Sequence, residues 1–445
     1  MTSTNAADTD AVVPPSTFFV FWPGDEPPTA EEIRCRLADW GQGGAEADEA
    51  GAEDVLWSFW FELGDRPVSY LLWCEPVAGP HLRLLDLVSF RDADQERVTR
   101  GCRWVVGLEG PLSLRHPAVD YQLQLKIADA IARDWAPVVY DASALQFRTV
   151  AQTRQIIGSR TPPRTSSFYT VHRVRVVNNN PSHRPEFDRF WLHTHGLQRV
   201  GVPDLELFDV TPALIPSALE LIETVASLWI QYQTPEPEVP FAVGHGLEVA
   251  WRPWQAVASE LPSDAAGGWQ HRKDEFAHVG YRAVLTAPRP TSPASRPPSR
   301  VWTPPRDALM QITRPETTLF RSIYETRRMA SLAHERWGDF GMLFASRRCA
   351  QWRFAVKLRY GDEEGGQGEH LWFEVHGVRP GRVQAKLLSI PTFIEAAELA
   401  DVQWHDLSRL SDWRILTPRG SFDPENADVL FDLPEYVSEP VVAAP

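Results

Sequence analysis

Two histidines stand one residue apart in FWLHTHGLQRVGVPDLELFDV, residues 190–210. In an extended strand His193 and His195 point to the same face, so one metal ion could take a nitrogen from each. A third ligand could come across a hairpin from one of the acidic residues that follow, which are Asp204, Glu206 and Asp209. One interpretation is therefore a divalent transition-metal site formed by His193, His195 and Glu206, in a metal-binding protein or a metal-dependent hydrolase.

The same stretch also fits an ordinary strand. Metal sites commonly show a third histidine or cysteine at a readable spacing, and none follows His195 in this segment. The two histidines would then hydrogen-bond to backbone groups or to neighbouring acids. We expect this structural alternative, and we predict no cofactor.

A second group of polar side chains lies in EHLWFEVHGV, residues 369–378. Strand alternation places Leu371, Phe373 and Val375 on one face. The other face receives His370, Trp372, Glu374 and His376. Together with Asp412 and Trp413 further along the chain, the residues His370, Trp372 and Glu374 are candidates for binding a ligand. The alternative is the solvated outer face of an antiparallel sheet.

Motifs of the common catalytic classes are missing or incomplete. The DFG at Asp339–Gly341 lacks the other kinase motifs, and the HERW that begins at His334 lacks the second histidine of H-E-x-x-H. The chain has no G-x-S-x-G and no phosphate-binding P-loop. Enzymatic activity is unsupported, and a non-catalytic binding or interaction protein is the preferred interpretation.

Charge is distributed unevenly over the 445 residues. The net charge of −15 argues against general binding to nucleic acids or anionic membranes. Residues 25–65 hold twelve acidic side chains against Arg34 and Arg36, whereas residues 306–360 hold eleven Lys/Arg against five Asp/Glu. The acidic segment could steer a basic protein partner, as in an immunity-like or stress-associated protein. Nucleic-acid binding through the basic segment is a weaker hypothesis.

Cysteine usage and the N-terminus indicate a cytoplasmic protein. Its four cysteines lie far apart without a C-x-x-C, which favours reduced thiols: Cys35, Cys74, Cys102 and Cys349. The N-terminus is polar and acidic and does not look like a signal peptide. No apolar run approaches the roughly 20 residues of a membrane helix, so no membrane partner is expected. The oligomeric state is left open.

Hydrophobic periodicity predicts an α+β protein with several domains. After a disordered tail at 1–14, residues 15–150 and 151–286 form two α+β units that could share one core. Their order of elements predicts ferredoxin-like antiparallel sheet layers with helices on one side. Seven prolines mark residues 287–305 as a linker. Residues 306–438 form the third domain.

The third domain combines a helix with a small β-rich fold. The helix is expected roughly from Glu316 to Arg336, with Leu319, Ile323 and Leu332 among its apolar residues. Five short antiparallel strands follow, separated mainly by Gly-rich turns. This pattern is typical of a small barrel-like or rolled-sheet domain.

The C-terminal segment, about residues 340–416, resembles the small YegJ-like bacterial domain, domain-of-unknown-function family 2314. The resemblance lies in QWRFAVKLRYGDEEGGQGEHLWFEVHGVRPGRVQAKLLSIP and in LSDWRIL. The matching positions are Phe354, Val356, Lys357, Glu369, His370, Trp372, Glu374, Val375, Ser411, Asp412 and Trp413. Ser389-Ile390-Pro391 departs from that family, which usually has Asn-x-Pro after the third strand.

The N-terminal two thirds resembles a companion bacterial family of unknown function, number 4026, that is often fused to the first. The similar pieces are ADAIARDWAPVVYDASA, SSFYTVHRV and FWLHTHGLQRVGVPDLELFDV. Together the two resemblances imply a bacterial cytoplasmic protein. They supply no activity, because neither family carries an established one.

Overall fold

The computed structural model describes most of the chain. The described residues are 13–39, 45–46, 54–63, 68–78, 81, 93–133, 138–148, 150–176, 188–262, 264–272, 281–288, 304–314, 317–346, 351–361, 368–392, 394, 399 and 401–431. Nearly all of the predicted tail at 1–14 and of the predicted linker at 287–305 lies outside them. By its internal contacts the chain divides into two compact units, Met1–Ser322 and Ile323–Pro445.

The first unit contains a seven-stranded antiparallel sheet in the order β2-β3-β4-β5-β1-β6-β7. Its strands are β1 (Ser16–Trp22), β2 (Ala45–Glu46), β3 (Trp57–Glu62), β4 (Ser69–Pro76), β5 (Trp104–Gly110), β6 (Val138–Asp141) and β7 (Gln146–Arg148). The accompanying helices are α1 (Ala30–Asp39), α2 (Ala93–Gly101), α3 (Pro117–Ala132) and α4 (Val150–Gly158). The described elements do not confirm the expected ferredoxin-like layering.

Helix α3 packs on this sheet because its apolar residues repeat at helical spacing. Tyr121, Leu125 and Ile131 are fully buried, and Pro117 occupies the first turn, where no backbone N–H is needed. The ring of Tyr121 lies 5.6 Å from that of Phe18 on β1. Strand β1 is therefore anchored to α3 through Phe18.

A second sheet in the same unit has the order β11-β12-β13-β10-β9-β8. Its strands are β8 (Thr170–Val176), β9 (Arg189–His195), β10 (Asp204–Val210), β11 (Phe241–Gly244), β12 (Leu247–Pro253) and β13 (Arg282–Thr286). Strands β10 and β13 are parallel, and the other pairs are antiparallel. The helices are α5 (Ile215–Tyr232), α6 (Trp254–Glu260) and α7 (Arg306–Ile312).

Helix α5 differs from the sequence expectation in one respect. With the turn before it, the segment Pro212–Tyr232 is long and apolar enough to cross a membrane, by length and composition only. Its residues Leu221, Ile222 and Val225 are fully buried inside the unit, and the helix packs against β10 and α7. A buried core helix passes the same test of length and composition, so the segment is weak evidence for a membrane.

A buried ion pair connects elements of the two sheets. Arg199 lies in the 3-10 turn Leu197–Val200 after β9, and its Nη1 and Nη2 donate to Oδ1 and Oδ2 of Asp141 at 2.8 and 2.9 Å. Its Nη2 also donates to the carbonyl of Phe168. Gly196 makes this turn with φ of 116°, and a Cβ there would meet the Phe168 carbonyl at 2.3 Å. Only glycine fits that position.

The second unit is built on an open six-stranded sheet in the order β17-β16-β15-β14-β18-β19. Its strands are β14 (Arg353–Tyr360), β15 (Glu369–Arg379), β16 (Arg382–Leu387), β17 (Gln403–Asp406), β18 (Leu410–Thr417) and β19 (Gly420–Phe422). Two helices precede them, α8 (Ile323–Glu335) and α9 (Trp337–Ser346). Helix α8 begins later than the predicted Glu316, and α9 is a second helix within the predicted helical and strand region.

The prediction of a small barrel for this domain was wrong. A barrel requires the two edge strands to pair, but in the described part of the chain β17 and β19 remain at opposite edges of the sheet. Ala333 of α8 and Phe340 and Leu343 of α9 cover the apolar face instead. The alternation predicted for β15 is present: Leu371, Phe373 and Val375 are buried in this core.

Candidate functional site

Strands β8 and β9 bring three histidines to one face of the second sheet. In their antiparallel register His172 lies opposite His193, and Thr170 lies opposite His195. Paired residues share a face, as do residues two apart on one strand. The ring centroids are 5.5 Å apart for His172 and His193, 4.6 Å for His172 and His195, and 4.9 Å for His193 and His195.

The three side chains offer nitrogen atoms close enough for one ion. One ligand nitrogen from each of His172, His193 and His195 lies within 4.8 Å of the other two. His193 and His195 are buried, with 2% and 7% of their surface exposed, and His172 is half-buried. The cluster therefore lies at the margin of the core.

Burial and a neighbouring charge keep His172 in the form that binds metals. The pKa of His172 is lowered from its ordinary value, first by burial and then by the positive charge of Arg282. Metal ions bind the neutral imidazole. At neutral pH the His172 ring consequently needs to lose no proton before it can act as a ligand.

Glu206, the expected third ligand, is held by two arginines. It lies on β10 opposite His193 and is fully buried. Its Oε1 and Oε2 accept from Nη1 and Nη2 of Arg272 at 3.2 and 2.5 Å, and Oε1 also accepts from Nη1 of Arg282 at 3.1 Å. The carboxylate is thus engaged in ion pairs. The third residue of the cluster is His172 and not Glu206.

Arg272 is enclosed by aromatic rings next to the histidines. Its Cζ lies 4.8, 5.2 and 4.1 Å from the ring centroids of Trp191, Phe208 and Trp254. The Trp191 ring in turn lies 4.0 Å from that of His193. Burial is the main reason that the pKa of Arg272 is lowered, although Glu206 opposes this change. The rings hold this arginine and His193 side by side.

The two remaining acidic candidates are engaged elsewhere. Asp204 accepts hydrogen bonds from Thr194 Oγ1 at 2.9 Å, Leu197 N at 3.2 Å and Gln198 Nε2 at 3.1 Å. Burial raises the pKa of Asp204, an effect that Arg282 opposes. Asp209 lies 4.0 Å from Nε of Arg189. Neither residue belongs to the group of histidines that could hold a metal.

The second group of predicted residues is divided between the two faces of the sheet in the second unit. His370, Trp372 and Glu374 lie on the face away from the core. The strand register places Asp412 on that face, opposite Lys357. Trp413 lies on the other face, fully buried, and its Nε1 donates to the carbonyl of Ala333 at 3.1 Å. It is a core residue and does not join the other four.

Sequence reasoning missed His172, although a signal for it was present. In TVHRVRV the residues His172, Val174 and Val176 alternate with Arg173 and Arg175. Both arginines are exposed. Alternation therefore places His172 on the inward face beside two valines. A histidine is unusual at such a position, and this was the signal that could have added His172 to His193 and His195.

Comparison with protein families supports one part of the sequence resemblance. Residues 174–285 match the model described as Protein of unknown function (DUF4026) C-terminal. The matched segment contains His193 and His195 and begins just after His172. Comparisons with curated proteins and with solved structures found no match. The resemblance of the second unit to family 2314 stays a prediction.

Proposed function

We propose that this protein binds a divalent transition metal through His172, His193 and His195. The proposal rests on one observation, which is that a ligand nitrogen of each histidine lies within 4.8 Å of the other two. The ligand set replaces the pair of histidines with Glu206 that the sequence suggested.

Three imidazoles favour zinc or a neighbouring metal. Imidazole nitrogen suits Zn, Cu, Fe and Ni, whereas Mg and Ca prefer oxygen ligands. At a tetrahedral zinc with bonds of about 2.0–2.1 Å, ligand nitrogens lie about 3.4 Å apart. Small rotations of the imidazole rings would bring the three nitrogens from their present spacing to that distance. Three protein ligands also leave a fourth position for water or another ligand.

Metal binding is a better-supported proposal than hydrolysis. A hydrolase would use a general base beside the metal-bound water, but Glu206 is paired with Arg272 and Arg282. The charge of Arg282, which lowers the pKa of His172, also opposes a dication. The carboxylate of Glu206 offsets that charge. We therefore propose a binding site and assign no reaction to it.

The proposal is tested by measuring the metal content of the untagged full chain and its affinity for zinc and cobalt. We expect one zinc or cobalt ion per chain, measured by mass spectrometry of the metal and by cobalt absorption. His172→Ala should weaken binding at least about a hundredfold, since a lost ligand costs more than the roughly 10–100-fold effect of an outer-shell partner. His376→Ala, which removes an exposed histidine of the second unit, is the matched control and should bind normally.

A further variant separates the two ligand sets. Glu206→Gln should retain stoichiometric metal if the three histidines are the ligands, provided that circular dichroism shows a folded chain. Loss of metal in Glu206→Gln but not in His172→Ala would return the assignment to His193, His195 and Glu206. Absence of binding in a zinc titration of the folded protein would remove the proposal.

Several inferences rest on the sequence alone. We infer a bacterial cytoplasmic protein whose acidic segment 25–65 could meet a basic protein partner. Part of that segment, residues 40–44, 47–53 and 64–65, lies outside the described residues. A ferredoxin-like core of the first sheet, and membership of the second unit in family 2314, are inferences of the same kind.

A further inference from the structure

The outer face of the sheet in the second unit carries a group of charged side chains. We use "outer face" for the side of β14–β18 opposite the core, as alternation and register define it. Its basic residues are Arg353, Lys357, Arg359, Arg379, Arg382, Lys386 and Arg414, and its acidic residues are Glu374, Asp406 and Asp412. Seven basic and three acidic residues leave a net charge of +4, against −15 for the chain.

Most of these basic side chains are exposed to solvent. Six of the seven are exposed, and Lys357 is half-buried. They lie on four adjacent strands, so the positive charge extends across the sheet and does not follow one edge. A basic face of this kind attracts a polyanion.

Two tryptophans are interleaved with the positive charges. Trp372 on β15 has two cations near its ring centroid, Lys357 Nζ at 5.7 Å and Arg414 Cζ at 5.0 Å. Trp404 on β17 lies 4.0 Å from Cζ of Arg379. Both tryptophans are half-buried, so part of each indole is open to solvent.

We propose that the outer face binds a single-stranded nucleic acid. The arginines and lysines would contact successive phosphates, and unpaired bases would stack on Trp372 and Trp404. A positively charged surface with aromatic platforms is what sequence-tolerant single-strand binding requires. An acidic peptide would satisfy the charge, but its carboxylates offer no aromatic ring to stack on the two indoles. The proposal is independent of the metal site in the first unit.

The charge of the rest of the chain limits the strength of binding. A net charge of −15 repels a polyanion at long range, so the affinity should be modest and strongly dependent on salt. Each phosphate contact lowers the slope of log affinity against log salt by about 0.7 for single strands. The slope therefore reports how many of the seven basic residues take part.

The experiment measures fluorescence anisotropy of labelled oligothymidylate and oligouridylate dodecamers with the full chain at low salt. We expect Trp404→Ala and Trp372→Ala each to weaken binding roughly tenfold, in line with the loss of one stacked base. The double variant Arg382→Gln, Arg414→Gln should weaken oligonucleotide binding more than either tryptophan variant does. It should also make the slope of log affinity against log salt less steep. Both of those arginines are exposed, so this variant tests the face even if a tryptophan variant unfolds.

Two matched controls accompany these variants. Trp60→Ala removes a tryptophan that is 49% exposed in the first unit. Arg327→Gln removes an exposed arginine on α8, the helix that covers the opposite face of the sheet. Both should bind within about twofold of the wild type, since neither residue offers a stacking platform or a charge on the outer face.

Four outcomes would overturn the proposal. These are no binding by the folded chain at low salt, equal affinity for a duplex of the same length, equal affinity for polyglutamate, and an unchanged affinity in the tryptophan and arginine variants. Equal binding of polyglutamate would identify the face as a site for acidic proteins. His172→Ala should leave oligonucleotide binding unchanged, which keeps this test separate from that of the metal site.

Discussion

Asp412 is a buried carboxyl at the base of the outer face. It is 3% exposed, and its Oδ1 accepts a hydrogen bond from the backbone N–H of Trp413 at 2.8 Å. Burial raises its pKa from 3.8 to about 6, although the Trp413 N–H, Arg414 and Lys357 act in the opposite direction. A carboxyl with a raised pKa destabilises the fold where it is ionised.

Replacing this carboxyl should stabilise the protein in a defined range of pH. Above about pH 6 the folded state carries the buried charge, and below about pH 4 the group is protonated in both states. Asp412→Asn should therefore raise the free energy of unfolding by up to about 3 kcal/mol at pH 8, and by little at pH 4. Urea unfolding at the two pH values measures this difference. Asp406→Asn, at an exposed position on the same face, should show no such gain in stability. Equal gains at both pH values for Asp412→Asn would contradict a raised pKa of Asp412.

Part of the histidine cluster could be predicted from the sequence. The spacing of His193 and His195 predicts that they share a face, because the period of a strand is two residues. Their pairing with His172 depends on the register between β8 and β9, and alternation along each strand does not specify that register. The prediction that grouped Trp413 with Trp372 failed for the same reason. Only the registers of β14 with β15 and with β18 show that the two tryptophans lie on opposite faces.

The 3-10 turn after β9 joins elements of the two sheets through a buried ion pair. Arg199 is 1% exposed and Asp141 is fully buried. Asp141 also accepts from Tyr121 Oη at 2.9 Å and from the backbone N–H of Ala144 at 3.0 Å. The network joins elements far apart in sequence, so composition and periodicity could not reveal it.

Removing Arg199 should be strongly destabilising. Arg199→Ala leaves the carboxylate of Asp141 buried without its bidentate partner, and breaking a buried pair in this way costs about 3–5 kcal/mol. Arg100→Ala, which removes the exposed partner of Glu96 on α2, should cost no more than about 1 kcal/mol. Urea unfolding of the two variants compares them directly. Similar small losses in both would show that the buried pair contributes little.

The whole molecule has two units, each with its own core. The proline-rich composition at 287–305 predicted a boundary there, whereas the contacts divide the chain after Ser322. The reason is that residues 306–314 and 317–322 belong to the first unit through side-chain and backbone contacts. Ser322 Oγ lies 2.8 Å from Ser227 Oγ, and the backbone N–H of Phe320 donates to the carbonyl of Val243 at 2.9 Å. Proline content does not specify which core the following residues join.

Two cores should produce two unfolding transitions. Trp413→Ala, at a fully buried position of the second unit, should lower one transition temperature through a loss of about 3–5 kcal/mol. Arg199→Ala should lower only the other. Differential scanning calorimetry of the full chain and both variants measures this. A single transition that both variants shift together would indicate one cooperative unit.

Strand β8, which carries His172, lies at an edge of the second sheet as described. The outward backbone groups of an edge strand can pair with another copy of the same chain, and such pairing leads to self-association. Arg173 and Arg175 are both exposed on β8. Arg175 Nε lies 2.8 Å from Asp188 Oδ2, and charged side chains on an edge strand oppose such pairing. Strand β8 thus supplies the third histidine and also opposes pairing of this sheet with the sheet of a second copy.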